Sequence, residues 1–162
     1  MTYILGLDPG LRHTGWGIIL AQGNTLKHVA HGVIDAVQEG ALAHRLQDLF
    51  QKLTQVIEHN TIDEAAVEET FVNKNPTSTL KLGMARGVVL LAPALHHIPV
   101  HEYSANRVKK SVVGVGHADK AQVVTMVQYF LPALKGGSLR PDAADALAVA
   151  ICHSNFRGAL NF

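Results

Sequence analysis

A chain of 162 residues is about one domain's worth at ~150 residues each, and folding should bury roughly 70% of its unfolded surface. Apolar residues at 48%, charged residues at 17% and a mean hydropathy of +0.14 exclude a disordered chain. The net charge of +1 hides a segregation of sign: residues 1–71 carry 4 basic and 9 acidic groups, residues 72–120 carry 7 and 2, and the remainder 3 and 2.

Residues 3–8, YILGLD, are apolar at successive positions and stop at Asp-Pro-Gly, the pattern of a buried central strand ended by a turn. Asp8 inside this first apolar run, with no basic leader before it, argues against a secretory signal. Residues 14–21 and 25–35 read as two more strands joined by a short Gln-Gly-Asn connection, so an antiparallel meander is expected. From 41 to 59, Leu42, Leu46, Leu49, Leu53, Val56 and Ile57 recur at helical spacing. Residues 64–69 then form a short strand ending in acid, followed by a loop and a helix over 77–95. Its apolar stretch, 87–95, is interrupted by Pro93 and falls short of the ~20 residues of a bilayer span, so no membrane segment is expected. Residues 99–103 make a fifth strand, and helices follow at about 104–113, 119–131 and 142–155, the last preceded by Pro141. Cys152 has no disulfide partner and no zinc-ligand spacing around it, which leaves a cytoplasmic protein. No linker or repeat interrupts the order, so residues 1–162 read as a single domain with an α/β fold: a mixed five-stranded sheet covered by helices.

Ligand chemistry in such a sheet belongs at the carboxyl ends of adjacent strands. Asp8 ends the first strand and Glu68 the fourth, while Asp142 and Asp145 sit one turn apart in the last helix, on a face continued by Val149 and Cys152. Acids in a helix's first turn commonly do no more than complement its dipole. Two strand-end acids aimed at the same edge have no such explanation, and buried carboxylates must be paired, neutralised or bound to metal. Oxygen ligands without cysteine or histidine spacing suit Mg²⁺ or Mn²⁺ better than zinc. Two such ions ~3.5–4 Å apart would serve phosphodiester hydrolysis. The basic middle, with Lys74, Lys81, Arg86, Arg107, Lys109, Lys110 and Lys120, suits an anionic partner, although solvated helix faces explain it about as well. Gly15 and Gly17 either admit a ligand backbone near Asp8 or permit tight packing. Gly83 and Gly87 fit either a helix-mediated dimer or packing on the sheet. His13 and His117 receive no role.

The segments GLDPGLRHTGWGI, VEETFVNKNPTSTLKLGMARG, EYSANRVKKSVVGVGHADKAQV and RPDAADALAVAICH, together spanning residues 3–153, closely resemble the RuvC family of Holliday-junction resolvases. The resemblance implies a ribonuclease H-like fold with helices on both faces and a homodimer that cuts opposed strands of four-way junction DNA. Paired nicks would leave 5′-phosphate and 3′-hydroxyl ends. It makes Asp8, Glu68, Asp142 and Asp145 the metal-holding, catalytic acids, for Mg²⁺ (two per subunit, with Mn²⁺ substituting), and Lys120 a catalytic lysine near the scissile phosphate. Glu68 is preferred to Glu69 because the family's acid precedes the loop phenylalanine, here Phe71, by three positions. Phe71, Lys74, Arg107, Lys109, Lys110 and Lys120 become DNA contacts, and the branch-migration proteins RuvA and RuvB become partners. The tail SNFRGALNF has only Arg157 as a basic residue, so any tail contribution to DNA binding is in doubt. Two other readings compete. The Asp-Pro-Gly turn is similar to the phosphate loop of actin-like ATPases, though 162 residues leave no second nucleotide-binding half. A junction-binding module whose acids are structural is the non-enzymatic alternative.

Overall fold

A computed structural model describes residues 1–10, 12–69 and 74–157. The strands are β1 (Thr2–Asp8), β2 (His13–Gln22), β3 (Thr25–Asp35), β4 (Glu64–Glu68) and β5 (Val100–Tyr103). The helices are α1 (Leu42–Glu58), α2 (Pro76–Leu95), α3 (Ala105–Val113), α4 (Lys120–Phe130) and α5 (Pro141–Phe156). Each expected element is present within a residue or two. A short 3-10 turn at Pro132–Leu134 is the addition, placed where Pro132 cannot continue α4. The sheet order is β3-β2-β1-β4-β5, with β1, β2 and β3 an antiparallel meander and β1, β4 and β5 parallel.

Alternation along the strands divides the core in two. Leu5, Leu7, Ile18, Ala65 and Val67 face one way and pack with Leu49, Leu53 and Ile57 of α1 and Ala85, Val89 and Ala92 of α2. Ile4, Ile19 and Ala66 face the other way, against Val108 and Val112 of α3, Val123 and Val127 of α4, and Leu147 and Ile151 of α5. β1, with Ile4, Leu5 and Leu7 all fully buried, is therefore covered on both faces, as its unbroken apolar run predicts.

The last helix departs from the expected single stripe. Residues 143, 144 and 146–153 are all buried, so α5 is enclosed all round, between the sheet and α3 and α4. Its many alanines and the sheet's glycines make this packing close. A Cβ at Gly6 would lie 2.0 Å from the Ala146 carbonyl oxygen, one at Gly15 1.9 Å from the Asp142 carbonyl oxygen, and one at Gly17 2.5 Å from the Leu147 side chain. Gly15 and Gly17 thus serve helix packing, the second of the two readings open to them.

On the opposite layer α2 starts well before the apolar run at 87–95, and by length and composition alone it could cross a membrane, with a mean hydropathy of 1.2 over 18 residues. Its inner face, Ala85, Val89, Ala92 and Pro93, is buried, while Leu80, Met84, Leu91 and Leu95 are 66%, 47%, 50% and 55% exposed. Gly83 and Gly87 have nothing within 4 Å of an added Cβ, so neither packs on the sheet.

Gly6→Ala drives a methyl group into the α5 backbone, and overpacking of this kind costs about 1–3 kcal/mol. Urea unfolding of this variant should show a lower midpoint, and an unchanged midpoint would contradict the packing described.

Candidate active site at the carboxyl edge of the sheet

Strand parity aims the first two acids. Asp8 shares the face of Ile4 and Gly6, and Glu68 that of Ala66, so both side chains project toward α5, while Glu69 lies past the strand's end and is exposed. β1 and β4 are adjacent and parallel, with Leu7 opposite Val67, so Asp8 and Glu68 leave the sheet side by side and each acts on the other's ionisation. The first turn of α5, seated on Gly15 directly opposite Asp8, delivers Asp142 and Asp145 to the same place. Four carboxylates that are distant in sequence thus act on one another's charge.

Two lysines join them. The side chain of Asp119 accepts a hydrogen bond from the Gln122 backbone N–H at 2.8 Å, and Gln122 Oε1 accepts from the Asp119 N–H at 2.9 Å, a capping box that fixes the start of α4 at Lys120. On α3, Val108 and Val112 are buried and Lys109 sits beside them. Lys109, Lys120, Glu68 and Asp145 line one cavity of about 130 Å³, floored by Val108, Val112, Ala118, Val123 and Ala148. Lys109, expected from the sequence as a DNA contact, therefore faces the acids.

The electrostatics follow from burial and crowding. Burial, with Glu68 next in importance, holds Asp8 well above the ordinary carboxylate range. Burial likewise raises Glu68, with Asp8 opposing and the charge of Asp145 adding to it. Asp145 is pushed from 3.8 to about 7, chiefly by burial and then by Asp8, against the opposing charges of Lys120 and Lys109. An all-oxygen donor set that costs free energy to ionise, without a nitrogen or sulfur donor among its four acids, fits a hard divalent cation such as Mg²⁺ or Mn²⁺.

The remaining candidate DNA residues are dispersed. Phe71 lies outside the described residues. Lys74 and Lys110 are exposed. The guanidinium of Arg107 sits 4.2 Å from the centre of the Phe156 ring and 5.8 Å from that of Tyr103, a cation–π contact at the far end of α5.

Two clusters escape sequence reasoning because each depends on residues brought together only by folding. At the acid edge, Asp35 at the end of β3 receives both Arg140 nitrogens, at 3.1 and 3.2 Å, and lies 2.7 Å from His13 Nδ1. Arg140 and then His13 hold its carboxyl below the usual range. At the opposite end of the sheet, fully buried His153 lies between the Tyr103 hydroxyl at 2.7 Å and Glu64 Oε2 at 2.6 Å, and Arg157 also donates to Glu64. His101 stacks on His153, and the three side chains Glu64, His101 and His153 have metal-ligand chemistry. Yet both Glu64 oxygens are already engaged by Arg157 or His153, so the cluster reads as a closed structural network. Its only sequence signal is the histidine interrupting the apolar run of α5.

Comparison with known proteins agrees with this geometry. The family model for crossover junction endodeoxyribonuclease RuvC matches residues 4–153. A crossover junction endodeoxyribonuclease RuvC from Paramagnetospirillum magneticum is 61% identical over 155 residues, covering 96% of this chain and 92% of the relative. One from Granulibacter bethesdensis is 57% identical over 155 residues, covering 95% and 85%. Among solved structures, T. thermophilus RuvC in complex with Holliday junction substrate superposes with a TM-score of 0.87 at 28% identity, covering 97% of this chain and 95% of that one. With its ribonuclease H-like mixed sheet and four carboxylates gathered at one edge, the chain belongs to the RuvC family of crossover junction endodeoxyribonucleases.

Proposed function

We propose that this protein resolves Holliday junctions in homologous recombination and DNA repair, as a cytoplasmic, single-domain, divalent-metal-dependent endonuclease making paired symmetric nicks. The observation that carries this reading is the convergence of Asp8, Glu68, Asp142 and Asp145 beside Lys109 and Lys120. A purely structural role for the acids gives no reason to gather four carboxylates where burial opposes their ionisation.

The four acids would hold one or two Mg²⁺ ions, with Mn²⁺ as a substitute. When bound, such a cation supplies Lewis acidity, lowering the pKa of water and offsetting charge on phosphate oxygens. Lys120, held by the Asp119 capping box, and Lys109 would stabilise the charge that builds on the phosphate as water attacks in line and the bond to the 3′ oxygen breaks. Phe71, Lys74, Arg107 and Lys110 would add stacking and backbone contacts, and RuvA and RuvB are the proposed protein partners.

Two-fold cleavage calls for a two-fold enzyme. Positions 80, 84, 87, 91 and 95 share one outer face of α2, apolar and open at Gly87, which suits antiparallel packing against the same helix of a second copy.

Four measurements test this reading. On a synthetic four-way junction, the wild-type protein with Mg²⁺ should cut two opposed strands, with no cleavage in EDTA and none of linear duplex. Asp8→Asn should retain junction affinity while lowering cleavage by at least about 100-fold; cleavage by this variant at the wild-type rate would refute the assignment. The acids also give a signed pH dependence. Asp145 binds its proton more tightly folded than unfolded, so between about pH 4 and 7 the native state holds more protons and metal-free stability falls as pH rises. In EDTA the melting temperature of Asp145→Asn should therefore rise relative to that of wild type between pH 5 and pH 8, and Mg²⁺ should restore more to the wild type at pH 8 than at pH 5; a difference that does not change with pH would contradict the raised Asp145 pKa. Finally, Leu91→Asp should shift the protein from dimer to monomer in sedimentation, and a variant that stays dimeric would remove α2 from the interface.

A further inference from the structure

The first turn of α5 carries two of the four acids, yet no side chain caps it. Arg140 occupies the N-cap position and makes no side-chain cap hydrogen bond, and Pro141 follows it. Its guanidinium instead crosses to the end of β3, where both nitrogens donate to the Asp35 carboxylate in the paired geometry that arginine forms with carboxylates.

Asp35 has a second tie. His13 Nδ1 lies 2.7 Å from Asp35 Oδ1, and the two residues are register partners in the β2–β3 pair. His13 opens β2 shortly after Asp8, and Gly10 lies close against it: a Cβ at Gly10 would lie 2.1 Å from the His13 carbonyl oxygen. The Ala36 N–H donates to the Arg12 carbonyl oxygen at 2.8 Å, and Lys52 Nζ donates to the Asp35 carbonyl oxygen at 3.2 Å, anchoring the end of β3 from both sides. One carboxylate therefore ties the chain leaving Asp8 to the chain arriving at Asp142. These two acids repel each other when ionised, and the Asp35 tie acts with the Gly15 contact and the burial of Ala143 and Ala144 to oppose their separation.

We propose that Asp35 is a positioning residue which, through Arg140 and His13, sets the spacing of Asp8 and Asp142 and so the affinity of the acid quartet for its cation. This rests on the metal-holding role proposed above. The group is half exposed, with side chains 59%, 50% and 46% accessible for Asp35, Arg140 and His13, so its removal should leave the fold intact and be felt at the site. Partners standing behind metal ligands commonly change affinity by about 10- to 100-fold when removed, and an indirect tie belongs at the lower end.

The test is titration of the metal-free protein with Mn²⁺, followed by electron paramagnetic resonance and calorimetry, in wild type, Asp35→Ala, Arg140→Ala, the double variant, and the near-isosteric Asp35→Asn. Junction affinity in EDTA and single-turnover cleavage across Mn²⁺ concentrations are measured in parallel. The expected result is about tenfold weaker Mn²⁺ binding in each alanine variant, a double variant no worse than either single, cleavage that recovers at saturating Mn²⁺, and unchanged junction affinity. Wild-type Mn²⁺ affinity in Asp35→Ala overturns the proposal. So does loss of junction affinity in Arg140→Ala alone, which would make Arg140 a direct phosphate contact. A wild-type protein that binds no Mn²⁺ would instead defeat the metal-holding reading beneath it.

Discussion

The contact of α5 with bare sheet backbone underlies the rest of the structure. A helix normally stands off a sheet by the length of its side chains. Here Ala146 and Ala150 meet Gly6 and the Asp142–Ala143 backbone meets Gly15, so the two backbones come together, while the Leu147 side chain lies on Gly17. Asp142 and Asp145 enter the helix at its first turn, so the depth of this seating decides how near they come to Asp8 and Glu68. With larger residues at the three glycines, Asp142 and Asp145 would stand further from the Asp8–Glu68 pair.

Close seating brings carboxylates together in surroundings that disfavour their ionisation. Asp8, Glu68 and Asp145 all hold protons more strongly than free carboxylates because burial and mutual repulsion act in the same direction. The two lysines oppose this without cancelling it. A site of this kind is destabilising without a cation and complementary to one that has shed water. The fold bears that cost through two well-packed layers, and α5 is so fully enclosed that the repulsion at its start cannot simply displace it.

Much of this could be read along the chain. The doubly buried run of β1, the meander, the helical spacing of α1 and the Pro141 start of α5 each follow from local pattern, and the structure has them within a residue or two. Strand parity let only one of Glu68 and Glu69 face the site, and the family motif's three-position offset from Phe71 selected Glu68. Other features were beyond local reading. Lys109 looked like one cation among seven, and only the packing of α3 turns it toward Glu68 and Asp145. The choice of helix packing for Gly15 and Gly17, and of an open surface for Gly83 and Gly87, needed the opposing element to be present.

The sequence by itself determined the elements, their order and the identity of the four acids, because periodicity, turn chemistry and extended motifs are written in neighbouring residues. Tertiary structure alone decided how these acids share charge, which lysines face them, and that Asp35 joins His13, 22 positions before it, to Arg140, 105 positions after it. The physical reason is the range of the interactions. Hydrophobic patterning acts through the local backbone and leaves a periodic trace, whereas desolvation and ion pairing depend on distances in space that no interval along the chain encodes.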